Sequence, residues 1–181
     1  MPHFFRLSHA KSDPSFSPRS GNCSRQTVGT HPNEAAIEWN SCEFSKTFMD
    51  TSIIKETSHR SMSGAISFPE AVSQLLAAGV EYYRVDYVGM KTEYYGAGGD
   101  LAVTSIPFEG LPPVAAEFAV SELRANILDS QRNGQSYRDF TRRAMSAGVQ
   151  SYIAFLAGKR VTYLGRQGNQ HTEWFPGAAQ S

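Results

Sequence analysis

The chain contains one folding unit twice. Residues 67–107, moved forward by 69 positions, lie on residues 136–176 without a gap. Ser67, Ala78, Gly79, Val80, Tyr83, Gly89, Tyr94, Gly96, Gly99 and Pro107 fall on Ser136, Ala147, Gly148, Val149, Tyr152, Gly158, Tyr163, Gly165, Gly168 and Pro176. Further pairs are chemically alike: Phe68 with Tyr137, Glu70 with Asp139, Lys91 with Arg160. Ten identities in 41 positions are several times what composition gives by chance. Self-similarity at a fixed period sets the architecture, because one supersecondary unit is laid down twice and the copies share a core. The shared residues are glycines, tyrosines, helix caps and apolar positions. They build a fold and specify no reaction.

Each copy reads as two helices and then three strands. In copy 1 the first helix runs from Asp50 to about Met62, ended by Ser63-Gly64. Its counterpart is expected from Val114 to about Arg132, after Pro112-Pro113, with Ala116, Val120, Leu123 and Ile127 as an apolar stripe and Asn133-Gly134 as the stop. The second helix of copy 1 opens on Ser67-Phe68-Pro69-Glu70, a capping box in which the Ser67 hydroxyl takes a free amide and Glu70 reaches back to the cap. Copy 2 repeats it with Ser136 and the shorter Asp139. After Gly79 and Gly148 the apolar period changes from 3.6 to 2. Residues 80–87 and 91–95 flank a turn at Val88-Gly89-Met90, and 149–156 and 160–164 flank Ala157-Gly158-Lys159. Third strands then run to Pro107 and Pro176. The expected fold class is α+β: two tandem ααβββ repeats with pseudo-twofold symmetry, antiparallel hairpins packed on helices. One sheet or two is left open.

The expected domain is residues 49–176, with repeat 1 at about 49–107, repeat 2 at about 114–176 and a tail at 177–181. Residues 1–48 are rich in Ser, Pro, Asn, Thr and His without helical or strand periodicity, which reads as a disordered extension. Met49 is a second candidate for the translation start. With 181 residues and 40% hydrophobic content, one compact core is expected. Seventeen basic residues balance seventeen acidic ones, so no charge excess argues for nucleic acid or an anionic membrane. No apolar run reaches the roughly 18 residues of a membrane span, and the N-terminus lacks a secretory pattern. Cys23 and Cys42 belong to no CxxC motif and lie outside the repeats. A cytoplasmic setting is expected.

No motif implies a cofactor or metal. Gly96-Ala97-Gly98-Gly99 lies between two strands, where a phosphate loop would need a following helix N-terminus. Asp86 and Glu93, neighbours across the first hairpin, could share a proton, but Arg84 and Lys91 flank them and make a solvated charge cluster the simpler reading. His171 and Glu173 point the same way from the last strand; without a third ligand they read as surface residues.

Two candidate sites follow from strand alternation. Tyr83, Val85, Tyr87 and Tyr94 face the helices, as do Tyr152, Ala154, Leu156, Val161 and Tyr163. Tyr83, Tyr94, Tyr152 and Tyr163, with Asp86 or His171, could line a ligand pocket between the copies, although core tyrosines with hydroxyls at its rim are commonplace. On the outer face, copy 1 carries Arg84, Asp86, Lys91, Glu93 and Tyr95, whereas copy 2 carries Ile153, Phe155 and Leu164 with Arg160 and Thr162. So apolar a face is expected to be covered by copy 1, the tail or a second molecule. The favoured reading is a non-enzymatic module binding a protein partner or forming a homodimer, with a small-molecule-binding protein or enzyme as the alternative.

The sequence resembles the uncharacterised bacterial YdfO-like family in several segments: Ser67-Phe68-Pro69-Glu70, Ala77-Ala78-Gly79-Val80 with Tyr83, Tyr94-Tyr95-Gly96 with Gly98-Gly99, Ser146-Ala147-Gly148-Val149 with Tyr152, and Trp174-Phe175-Pro176. Some members carry the label "phage envelope protein". The resemblance spans about residues 49–176. It implies a fold and a prophage setting and supplies no catalytic residue.

Overall fold

A computed structural model describes residues 48–178. The expectations for residues 1–47, with Cys23 and Cys42, lie outside the described residues. The elements come in the order α1 (Thr51–Met62), α2 (Phe68–Ala77), β1 (Val80–Asp86), β2 (Lys91–Gly96), β3 (Leu101–Ser105), α3 (Val120–Asn133), α4 (Tyr137–Ser146), β4 (Val149–Phe155), β5 (Arg160–Gly165) and β6 (Gln170–Trp174). The expected ααβββ pair is what the chain forms, and the open question of the sheet closes on one antiparallel six-stranded sheet in the order β3-β2-β1-β4-β5-β6. The copies join through β1 and β4, where Arg84 lies opposite Ile153, its own counterpart in the repeat. The pseudo-twofold axis therefore passes through that pair.

Local chemistry sets each helix end. Asp50 caps α1 by accepting from the amides of Ser52 and Ile53. Ser67 and Glu70 form the complete capping box of α2, the Ser67 amide donating to Glu70 Oε2 at 2.7 Å. In α4 the Ser136 hydroxyl accepts from the Asp139 amide at 3.0 Å, while the Asp139 carboxylate accepts from that hydroxyl at 2.7 Å and does not reach the cap amide. The shorter side chain leaves the box half made. Gly79 and Gly148 follow the second helices with φ of +82° and +86°, a left-handed conformation that glycine adopts without steric cost.

One expectation needs correction. α3 begins at Val120, six residues after the expected start, so Ala116 is outside the helix and Val120 is exposed; Leu123 and Ile127 alone of the stripe are buried. Residues 115–119 instead lie along the end of α4, the amides of Ala115 and Ala119 donating to the carbonyls of Met145 and Ala147. Copy 1 has the same contact, Asp50 N–H to the Ala78 carbonyl, so the repeat begins before the helix in both copies. In the hairpin turns, the left-handed residues are Met90 (φ 49°) and Lys159 (φ 50°), one position after the glycines. Gly89 is needed for space: a Cβ there would stand 2.9 Å from Asp86 Oδ2.

The core lies between the four helices and one face of the sheet. Ile54 and Leu123, equivalent positions of α1 and α3, are fully buried, as are Val80, Val85 and Val149 of the central strands. The opposite sheet face carries no described helix, and there Tyr82, Arg84, Asp86, Lys91, Glu93 and Tyr95 of the first hairpin are half-buried or exposed.

Candidate functional site

The helix-facing side gathers six buried tyrosines, Tyr83, Tyr87, Tyr94, Tyr137, Tyr152 and Tyr163. Their rings meet in tilted and edge-on contacts: Tyr83 with Tyr94 at 5.7 Å, Tyr83 with Tyr152 at 6.1 Å, Tyr87 with Tyr152 at 5.9 Å and Tyr152 with Tyr163 at 5.5 Å. Such contacts add to area burial. The Tyr137 and Tyr152 hydroxyls share a hydrogen bond of 3.0 Å. Burial away from water pushes the phenols of Tyr83, Tyr87, Tyr137, Tyr152 and Tyr163 far above the ordinary range and raises Tyr94 as well. The Tyr87 hydroxyl and Thr141 Oγ1 are buried without a partner in hydrogen-bonding geometry, although Thr141 and Tyr137 are the hydroxyls that moderate the Tyr87 shift.

A cavity of about 40 Å³ opens among Tyr83, Tyr94, Tyr137 and Tyr152 beneath α1 and α2. That space suits one or a few waters, whereas small-molecule sites run to several hundred Å³. Three of the expected pocket residues, Tyr83, Tyr94 and Tyr152, line it; Tyr163, Asp86 and His171 do not. Asp86 lies on the outer side, its Oδ1 accepting from the amides of Val88 and Gly89 at 2.9 Å each, which fixes the hairpin turn. Glu93 has separate partners, Lys91 Nζ at 2.7 Å and the Tyr95 hydroxyl at 3.0 Å. Lys91 lowers the Glu93 carboxyl. The expected charge cluster thus forms around Glu93, with Lys91 and Arg84, while Asp86 serves its own turn and does not couple to Glu93. His171 and Glu173 point the same way, as expected, but are half-buried where surface positions were expected. They point to the helix-facing side of β6, opposite Tyr163 and Val161, and pair at 2.9 Å.

On the helix-free face, strand register brings Tyr95, Tyr82, Phe155, Arg160 and Trp174 into one row across β2, β1, β4, β5 and β6. Tyr82 and Tyr95 stack at 4.7 Å with planes 12° apart, and Tyr82 reaches Phe155 at 6.0 Å. The Arg160 guanidinium lies over the rings of Phe155 and Trp174 at 5.2 and 5.5 Å. Ile153 occupies the next row, between Arg84 and Thr162, and Leu164 the row beyond, between Ser151 and Gln170. The sequence-based apolar set is thus spread over three rows, and Phe155 belongs to an aromatic row partly covered by Arg160 and by Tyr82 of copy 1. Tyr82 and Trp174 were missed. Alternation already put Tyr82 on the face of Arg84, but only the β1–β4 pairing sets it beside Phe155.

Among the described residues, no three His, Cys, Asp or Glu side chains converge as metal ligands would, and no helix is long and apolar enough to cross a membrane. Residues 35–105 match the family described as "protein of unknown function (DUF1398)". The match is under half of the chain; it takes in copy 1 and the residues leading to it, and its description carries no activity, YdfO-like name or phage role. No curated protein matches the chain.

Proposed function

We propose that this protein is a non-enzymatic interaction module whose helix-free sheet face binds a protein partner or a second copy. The observation that carries the reading is the row Tyr95, Tyr82, Phe155, Arg160 and Trp174. Tyrosine, tryptophan and arginine are the residue types that dominate binding energy at protein interfaces, where they cluster centrally in a patch rimmed by polar groups. Here the row is bordered by Arg84, Glu93 and Lys91, a charged cluster joined at 3.8 and 2.7 Å. The rings stand against one another and under Arg160, so few ring faces are open to receive a nucleic-acid base. The small tyrosine cavity favours structure over substrate binding. A cytoplasmic setting is supported by cysteine usage alone, and the prophage setting by the family resemblance alone.

The test is Phe155→Asp. Light-scattering mass and retention of proteins from a lysate of the source organism are compared for both forms, with circular dichroism as the fold control. The wild type is expected to associate and the folded variant to lose that association, because the new carboxylate would be desolvated only on binding. A monomeric wild type whose retained proteins are unchanged by the substitution contradicts the proposal.

A further inference from the structure

Among the described residues, nothing guards the outer edge of β3. In the β2–β3 ladder, Gly96 N–H donates to the Asp100 carbonyl and Ile106 N–H to the Met90 carbonyl. Antiparallel pairs alternate between bonded and non-bonded, so Ala102 and Thr104 face β2, while the N–H and C=O groups of Leu101, Val103 and Ser105 point to the free edge. Among the described residues no strand pairs there. The strand Leu101-Ala102-Val103-Thr104-Ser105 contains no charge and no proline, and Leu101 and Val103 are 56% and 49% exposed. Edges left free for solvent usually carry a charge, a proline or a bulge. The equivalent edge, β6, has the inward-facing His171–Glu173 pair.

Beside this edge, on the helix side, lies a groove of about 300 Å³ lined by Lys55, Ser58 and His59 of α1, Thr104 and Ser105 of β3, and Phe108. Ser58 and Thr104 bridge its floor at 3.0 Å. Lys55 and His59 are one turn apart on one helix face, and no acid lines the groove.

We propose that β3 and α1 together form a docking site for an extended acidic peptide segment of a partner. The segment would add a seventh strand beside β3. Its backbone would satisfy the three outward-facing residues, its outer side chains would rest beside Leu101 and Val103, and its inner carboxylates would enter the groove toward Lys55 and His59. Charge decides against a second copy. Symmetric β3–β3 pairing would bring both α1 helices to the same side, setting Lys55 of one copy against Lys55 of the other. Leu101 stands opposite Tyr95, at the end of the outer-face row, whereas the groove with Lys55 lies on the helix side, so Phe155→Asp and Lys55→Glu test the two proposals separately.

The test uses the full chain, isotopically labelled, titrated with two blocked pentapeptides, Val-Glu-Val-Glu-Val and Val-Lys-Val-Lys-Val. The acidic peptide is expected to shift the amides of Leu101, Val103, Ser105 and α1, and the basic one to leave them unmoved. Lys55→Glu should weaken acidic binding by about tenfold or more. Val103→Pro should abolish it, since proline removes an edge donor that β2 does not use. Phe155→Asp should leave it intact. Equal binding of both peptides, binding of neither, or shifts away from β3 and α1 would overturn the proposal. So would a dimer that Val103→Pro dissociates, which would assign the edge to a second copy. Lys55 is exposed on a helix surface, so its substitution tests the site even if Val103→Pro perturbs the fold.

Discussion

The two copies share a backbone plan and differ in what presses on it. Gly79 and Gly148 are equivalent, both left-handed, both ending a second helix. A Cβ on Gly79 would meet nothing nearer than 3.6 Å, whereas one on Gly148 would fall 2.0 Å from the Glu117 carbonyl oxygen. Residue 49 is methionine in copy 1 and its counterpart, residue 118, is phenylalanine; each side chain packs on a strand glycine, Met49 on Gly96 and Phe118 on Gly165. In copy 1 the lead-in segment rests over the junction at ordinary contact distance, and in copy 2 it presses hard against it. Duplication thus preserves conformational requirements more faithfully than packing, and the copies should fail differently when the same residue is changed.

The largest expected effect is at that junction. Gly148→Val should cost on the order of 4 kcal/mol, since it adds backbone strain to an overlap with main-chain atoms that cannot rotate away. Gly79→Val should cost about 1–2 kcal/mol from strain alone. Urea unfolding of both variants checks this, and equal losses would break the distinction between the copies.

Alkaline pH should act on the core that the copies share. The buried phenols have folded-state values raised above their unfolded ones. Their contribution to stability is therefore fully present below the unfolded tyrosine range and is lost as pH rises beyond it. Tyrosinate absorbance from this set should appear together with loss of ellipticity, above about pH 10. Smooth ionisation of all eight tyrosines near pH 10 in a folded protein would show that the cluster is open to water.

The smallest effect separates the helix caps. Glu70→Ala should cost about 1 kcal/mol and Asp139→Ala less, because only Glu70 reaches back to its cap amide. The Ser67 amide and hydroxyl hold the Glu70 carboxyl below its ordinary value, so this stabilisation is present above the unfolded carboxylate range and fades as pH falls through the folded one. At acid pH the thermal stabilities of wild type and Glu70→Ala should converge.

Much of this was legible in the sequence because it depends on near neighbours. The capping box, the junction glycines and the inward tyrosines follow from spacing and strand alternation. The start of α3 did not, because residues 114–119 combine small apolar residues with helical spacing, and bonds from Ala115 and Ala119 to the end of α4 hold them outside the helix. Nor did the use of Asp86, whose side chain turns back to its own hairpin amides and away from Glu93. The aromatic row was legible only in pieces, since no local signal says that β1 pairs with β4. The common face of His171 and Glu173 follows from their spacing, but their half-burial beside Val161 and Tyr163 does not, because a polar pair on an edge strand resembles a solvent-facing one.

The central claim is that the tyrosines facing the helices are scaffold and that recognition belongs to the helix-free face. Phe155→Asp and Tyr152→Phe, tested side by side for association and folding, address it most directly. Tyr152→Phe removes a hydroxyl that lines the cavity and bonds to Tyr137; it should cost about 1 kcal/mol and leave association unchanged. Phe155→Asp should stay folded and lose association. Association lost in Tyr152→Phe and kept in Phe155→Asp would place recognition in the tyrosine cavity and contradict the account.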